Sequence, residues 1–402
     1  MKQPHFSKLA RPPANLPPPA PYQVRDRHSI QHRLRAVSMA SIPNLNTLRT
    51  GRGGPRLRDS RRGGRGASSI GEDGSTASDD ASKDRIIQQT DCDASSSRLS
   101  ALELGYLSDP FAKEFLKPGE QIPRRYPIIN RGTFVRSAAI DKLVLQFCQA
   151  EPNARKQIVS LGAGSDTRFL RLTGDHTSAS ELVYHELDFE ANVEAKKTVF
   201  SRSALLTERL KKFKEDGNVY HLHAVDLRDL PPSISGLESN LPTLLLSECC
   251  LCYMPPEQAT AAVKYFTDRI ASSVGIVIYE PVRPFDAFGR TMVSNLASRG
   301  IQMQTLKRYS SLDAQRQRLR LAGFEKQGAR DVHEIWESDA WVAEAERERI
   351  EKLEWLDEVE EWKLLASHYC VAWGWKGDCF DSAWWNIDGG RTRAEDRDDE
   401  LV

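Results

Sequence analysis

The chain has 402 residues, 56 basic against 56 acidic, is 40% hydrophobic and contains seven cysteines. That length suits one large α/β domain with appendages or two small ones, and a net charge of zero gives no ground for a polyanionic partner. No apolar run approaches the roughly 18 residues that a membrane helix needs, and no secretory apolar region stands behind Met1, so a soluble chain is expected.

The neutral balance hides an asymmetry, because Met1 to Ile70 carries fourteen Lys and Arg against two acids and the remainder is mildly acidic. The first 85 residues, with PPANLPPPAP and GRGGPRLRDSRRGGRG, show no sustained apolar period and read as disordered. Their Arg-rich composition leaves room for a mitochondrial presequence or a nucleic-acid contact, and a solvated tail is the preferred reading. The domain boundaries that follow are a basic arm over 1–89, a folded domain over 90–388 and a polar tail over 389–402. Order is placed from Thr90, where a helix carrying Leu99, Leu102, Leu107 and Phe111 leads to a Ser-Asp-Pro turn, with Arg98 at its start. Next, Pro127 and Gly132 are expected to break the backbone before a helix with Ile140, Leu143, Val144 and Phe147 on one face. Arg131 and Arg136 flank that opening and, on the residues alone, read as surface charges.

The stretch from Gln157 to Glu190 organises the rest. Ile158, Val159 and Leu161 form a short apolar run suited to a buried parallel strand, which stops at Gly162-Ala163-Gly164. Glycines there remove side chains where a ligand would lie against the backbone. Ser165 or Asp166 can cap a helix carrying Phe169 and Leu170, and Glu181 to Leu187 reads as a second strand delivering Asp188. An acid about 20 to 25 residues beyond the glycine turn suits a ribose hydroxyl pair. The third glycine of a dinucleotide fingerprint is missing, which a cofactor without a pyrophosphate, such as S-adenosylmethionine, would not need. A tight turn in an unrelated α/β protein would look the same at this stretch.

Further strands follow. VYHLHAVDLRDL reads as a third strand leading to Asp226 and Leu227, Leu244 to Leu246 as a fourth with Glu248 at its exit, and GIVIYEPV as a fifth. Acids at three strand ends match where open α/β sheets bind ligands. Cys249, Cys250 and Cys252 sit beside a strand end with no histidine nearby, so no metal is expected, and the odd number and scatter of the cysteines fit a reduced compartment. Phe285 to Glu337 reads as helices and a late strand pair. The acidic run from Glu344 to Glu361 reads as a solvated helix face, leading into a final strand, YCVAWGW. All eight tryptophans lie between Trp336 and Trp385, an end expected to be packed or presented for binding.

Taken together, INRGTFVR, IVSLGAGSDTRF, ELDF, AVDLRDL, LPTLLLSECCLCYMPPEQ, YEPV with FGRTMVSNL, and LEWLDEVEEWKLLASHYCVAWG resemble the leucine carboxyl methyltransferase family. The resemblance runs from about Thr90 to about Lys376 in consistent order. It implies a class I methyltransferase fold: an α/β, Rossmann-like, seven-stranded, mostly parallel sheet with helices on both faces and a helical lid. It implies S-adenosylmethionine as cofactor and the C-terminal leucine of the protein phosphatase 2A catalytic subunit as substrate. A cytoplasmic monomer without metal or membrane is expected, and a nucleic-acid partner is not favoured.

Carried over by position, the resemblance implies that Arg98 and Arg136 hold the cofactor's carboxylate, a task suited to guanidinium. The family usually has lysine at the first of these. Gly162 would pass close to the methionine moiety, Asp188 would take the ribose hydroxyls, Asp226 with the Leu227 backbone would read adenine, and Glu248 would accept from the ammonium. Tyr253 and arginines from the lid are candidates to orient the substrate carboxylate, and Tyr253 reads equally as a core aromatic at a strand end. No catalytic acid or base is expected. Two alternatives stay open: a methyltransferase for a small carboxylic acid, and a non-catalytic phosphatase-binding regulator.

Overall fold

The computed structural model describes residues 75–117, 119–172 and 181–388. The basic arm up to residue 74 and the tail from 389 lie outside these, as do the expectations made for them. In chain order the first half runs α1 (Ser75–Glu103), a 3-10 turn (Ala112–Phe115), α2 (Pro127–Gln149), β1 (Lys156–Leu161), α3 (Arg168–Arg171), β2 (Leu182–Asp188), α4 (Glu190–Arg202), α5 (Ala204–Glu215) and β3 (Val219–Ala224). The second runs β4 (Thr243–Glu248), a 3-10 turn (Leu251–Tyr253), α6 (Pro256–Thr267), β5 (Val274–Pro281), α7 (Ala287–Ser298), α8 (Leu312–Leu321), β6 (Lys326–Asp331), α9 (Val332–Glu337), α10 (Glu344–Glu351), α11 (Val359–Ser367), β7 (Tyr369–Lys376) and α12 (Asp378–Trp384).

The strands form one seven-stranded sheet in the order β3-β2-β1-β4-β5-β7-β6, parallel except for β7, which runs antiparallel to both neighbours. This is the class I methyltransferase arrangement expected from the sequence. Every residue of β1, β2 and β5 is buried, as parallel strands covered on both faces must be. On one face, Val159, Leu245 and Ile276 pack with Phe266 of α6 and Leu319 of α8. On the other, Phe169 of α3 stacks on Tyr220 and meets Phe213 of α5 edge-on. Strand order reverses between β1 and β4, so the ends of these two strands flank the crevice where such sheets hold ligands.

The structure corrects several expectations. Helix α1 begins at Ser75 rather than near Thr90. Its early turns are held by tertiary contacts that no local apolar period reveals: Ile86 and Ile87 pack against Cys252, Tyr253 and Ile301, and Asp84 pairs with Arg228. Gly132 lies inside α2, which starts at Pro127, where a missing N–H leaves no helical bond unmade. Phe285 to Glu337 supplies a single strand, β6, whose partner is the apolar β7. The acidic run divides into α10 and α11, and the break between them turns Glu354 inward to accept from Asn130 Nδ2 and Arg124, each at 2.8 Å. Arg131 is no surface charge: it is 8% exposed, 4.7 Å above Trp336 and 5.5 Å above Trp362. Most of the tryptophans are packed, although Trp355 is 84% exposed.

Candidate active site

The site begins where β1 ends. Gly162 and Gly164 take φ of +65° and +47°, the left-handed region that glycine enters without a Cβ clash. The turn is also squeezed from both sides. A Cβ on Gly162 would lie 2.5 Å from Cys250 Sγ and 2.9 Å from Cys250 Cβ, and one on Gly164 would run into the Asp91 carboxylate of α1. Asp91 instead accepts from the backbone and hydroxyl of Ser165, at 2.8 and 2.7 Å. Arg98, two turns along the same helix, donates to the Ser165 carbonyl at 2.9 Å. Helix α1 therefore lies directly across the glycine turn, as a lid does.

At the end of β2, Asp188 gathers three donors: Gly164 N–H at 2.7 Å, Phe189 N–H at 2.7 Å and Asn192 Nδ2 at 2.8 Å. Burial nevertheless pushes its carboxyl pKa up, these bonds opposing the shift in part. Two carboxylate oxygens offer about four acceptor positions, so room remains for a ligand hydroxyl. Beyond β3, Asp226 accepts from Arg228, through its backbone N–H at 2.8 Å and its guanidinium at 2.9 Å, while the same guanidinium reaches Asp84 of α1 at 2.8 and 2.7 Å. Burial would raise the Asp226 carboxyl pKa, but the Arg228 bonds overcome it and lower it. Leu227 is buried with Leu161 and Leu187.

Glu248, the last residue of β4, stands on the other side of the crevice. Its Oε1 accepts from Arg136 Nε of α2, and its Oε2 lies 3.3 Å from both terminal nitrogens of Arg168. Burial works to raise its carboxyl pKa, yet Arg136, then Arg168 and Arg98, bring it down to about 2. Arg136 itself lies 4.7 Å above the Tyr279 ring. Just past Glu248, the Cys249 thiol is shifted down, first by a hydrogen bond from Cys252. Tyr253 is 8% exposed, hydrogen-bonded to Thr90 and packed among Cys252 and Ile301, with burial raising its hydroxyl pKa.

The candidate residues thus fall into three neighbouring groups: Gly162 and Asp188 around the turn, Asp226 and Leu227 past β3, and Arg98, Arg136 and Glu248 around one carboxylate. A carboxylate flanked by guanidinium groups is complementary to an amino acid zwitterion, and an acid at the glycine turn is complementary to a diol. This donor set fits S-adenosylmethionine. Sequence reasoning missed Asp91, Arg168, Arg228 and Tyr279. The charged residues of GSDTRFLR, set among buried Phe169 and Leu170, were the available signal for Arg168. Among the described residues, no group of three His, Cys, Asp or Glu is placed to hold a metal, and no helix is long and apolar enough to cross a membrane.

Comparison with known proteins gives the family. The leucine carboxyl methyltransferase profile matches residues 86–267. Relatives named leucine carboxyl methyltransferase 1 are 49% identical in Aspergillus fumigatus and in Emericella nidulans, each alignment covering 88% of this chain and 99% of the relative. One from Yarrowia lipolytica is 41% identical, covering 72% of this chain and 97% of the relative. The chain belongs to the leucine carboxyl methyltransferase family, enzymes that draw the methyl group from S-adenosylmethionine.

Proposed function

We propose that this enzyme methylates the α-carboxylate of the C-terminal leucine of the protein phosphatase 2A catalytic subunit, as a cytoplasmic monomer. The observation that carries the reading is the match, over nearly their whole length, to relatives named for leucine carboxyl methylation. In this reading Asp188 takes the ribose hydroxyls, Asp226 and the Leu227 backbone read adenine, Glu248 accepts from the cofactor's ammonium, and Arg98 and Arg136 hold its carboxylate. Gly162 lets the backbone approach the methionine chain.

S-adenosylmethionine supplies an activated methyl on a sulfonium leaving group. A C-terminal carboxylate is already ionised at neutral pH, so the protein needs no general base. What the chain contributes is position: it desolvates the carboxylate, aims one oxygen in line and holds it there. Tyr253, beside Cys249 at the exit of β4, is the residue assigned to orienting that carboxylate. The seven cysteines, all free thiols, are consistent with a reducing compartment.

The test is transfer of labelled methyl to purified phosphatase catalytic subunit, beside a variant lacking its terminal leucine. Base-labile label on the intact protein alone is the expected result. No label on either, with cofactor binding confirmed by calorimetry, would refute the substrate assignment and redirect the search to small carboxylic acids.

A further inference from the structure

Arg168 has no part in the roles above, yet it is the most heavily engaged cation near the crevice. It opens α3 directly after the glycine turn and is 4% exposed. Its guanidinium meets three carboxylates: Nε donates to Asp141 Oδ1 at 2.6 Å, Nη1 donates to Asp166 Oδ2, and both terminal nitrogens lie 3.3 Å from Glu248 Oε2. Its backbone N–H donates to Asp166 Oδ1 at 2.9 Å, and Arg171 donates to both oxygens of Asp141, to Oδ2 at 2.6 Å and to Oδ1 at 3.1 Å. The group cannot swing away without stranding acids that have little access to water.

The two arginines on Glu248 therefore differ. Arg136 is 22% exposed at its side chain and, among the described residues, pairs with this one carboxylate. If it turns to a ligand carboxylate, Oε1 of Glu248 is uncovered while Oε2 stays held. We propose that Arg168 is a positioning residue that clamps Oε2 of Glu248, so that Oε1 faces the cofactor's ammonium and Arg136 is released to the cofactor's carboxylate. Without the clamp, Glu248 has Arg136 as its remaining close partner and draws it into a two-point pair, withdrawing both groups from the ligand together. The nucleoside half, held by Asp188 and Asp226, is untouched. This inference rests on the ammonium role proposed for Glu248.

The experiment is calorimetry on the full chain with two ligands: S-adenosylhomocysteine, which carries the amino acid end, and 5′-methylthioadenosine, which lacks it. Arg168→Gln should weaken the first by about tenfold or more, the scale of one or two charge-assisted hydrogen bonds, and leave the second unchanged. Arg168→Lys keeps a positive charge but has no fork to span three acids, so it should show the same selectivity with a smaller loss. It also carries the comparison if Arg168→Gln does not fold. Glu248→Gln is measured alongside. A parallel loss of both ligands in the Arg168 variants, or no loss, would overturn the clamp, and a selective loss in Glu248→Gln would then leave the proposed role of Glu248 standing. If Glu248→Gln is itself without selective effect, the ammonium role and the clamp both fall.

Discussion

Replacing Asp141 by asparagine keeps the shape of the side chain and removes its charge, and the geometry sets the consequence. Asp141 joins two elements, accepting from Arg168 at 2.6 Å and from Arg171 at 2.6 and 3.1 Å, with its side chain 22% exposed. Burial by itself would raise its carboxyl pKa, but Arg171 and then Arg168 bring it from an ordinary 3.8 down to about 2. A folded value below the unfolded one means that the pairing stabilises the protein above the unfolded pKa, and that this stability is lost as pH falls toward about 2. The fall from 3.8 to about 2 corresponds to about 2 to 3 kcal/mol. Asp141→Asn should therefore lower the unfolding free energy at pH 7 by about 3 kcal/mol, the two arginines being left facing each other. Urea denaturation should find the gap between wild type and variant constant from about pH 7 to 5 and narrower by about 1 kcal/mol near pH 3. A gap that ignores pH would assign the effect to packing rather than to an ionised carboxylate. A gap under about 1 kcal/mol at pH 7 would place the pair in the class of solvent-screened surface bridges, against its buried geometry.

Four further outcomes are expected. Gly162→Ala should destabilise the fold by about 2 to 4 kcal/mol, combining left-handed strain with the overlap on Cys250, and adding Cys250→Ala should recover part of the loss; an unchanged urea midpoint in the single variant would disprove the close approach. Asp188→Ala should weaken S-adenosylhomocysteine binding by about tenfold or more, and near-wild-type affinity by calorimetry would count against the ribose assignment. Because burial raises the Asp188 pKa, wild-type affinity should also begin to fall at a higher pH than an ordinary aspartate would give. Tyr253→Phe should lower the methyl-transfer rate about tenfold with cofactor affinity unchanged; an unaltered rate would make Tyr253 a core aromatic and nothing more.

What could be read along the chain was whatever local patterning decides. The apolar runs at Ile158, Val183 and Leu244 are strands buried on both faces, and each run stops abruptly, so Gly162, Asp188 and Glu248 could be placed at strand ends before any fold was known. The arginines resisted the same treatment, because an arginine's role depends on partners that lie elsewhere in the chain. Arg131 sits in an unremarkable helical stretch, and the rings of Trp336 and Trp362 that cover it belong to α9 and α11. Arg228 needs Asp84, 144 residues away, and Arg168 needs both Asp141 of α2 and Glu248 of β4. For an isolated charge, solvent is the cheapest environment, and only tertiary structure can supply the opposing charges that make burial tolerable. The motif therefore locates the crevice, whereas the long-range ion pairs from Arg136 and Arg168 decide that Glu248 stays ionised within it.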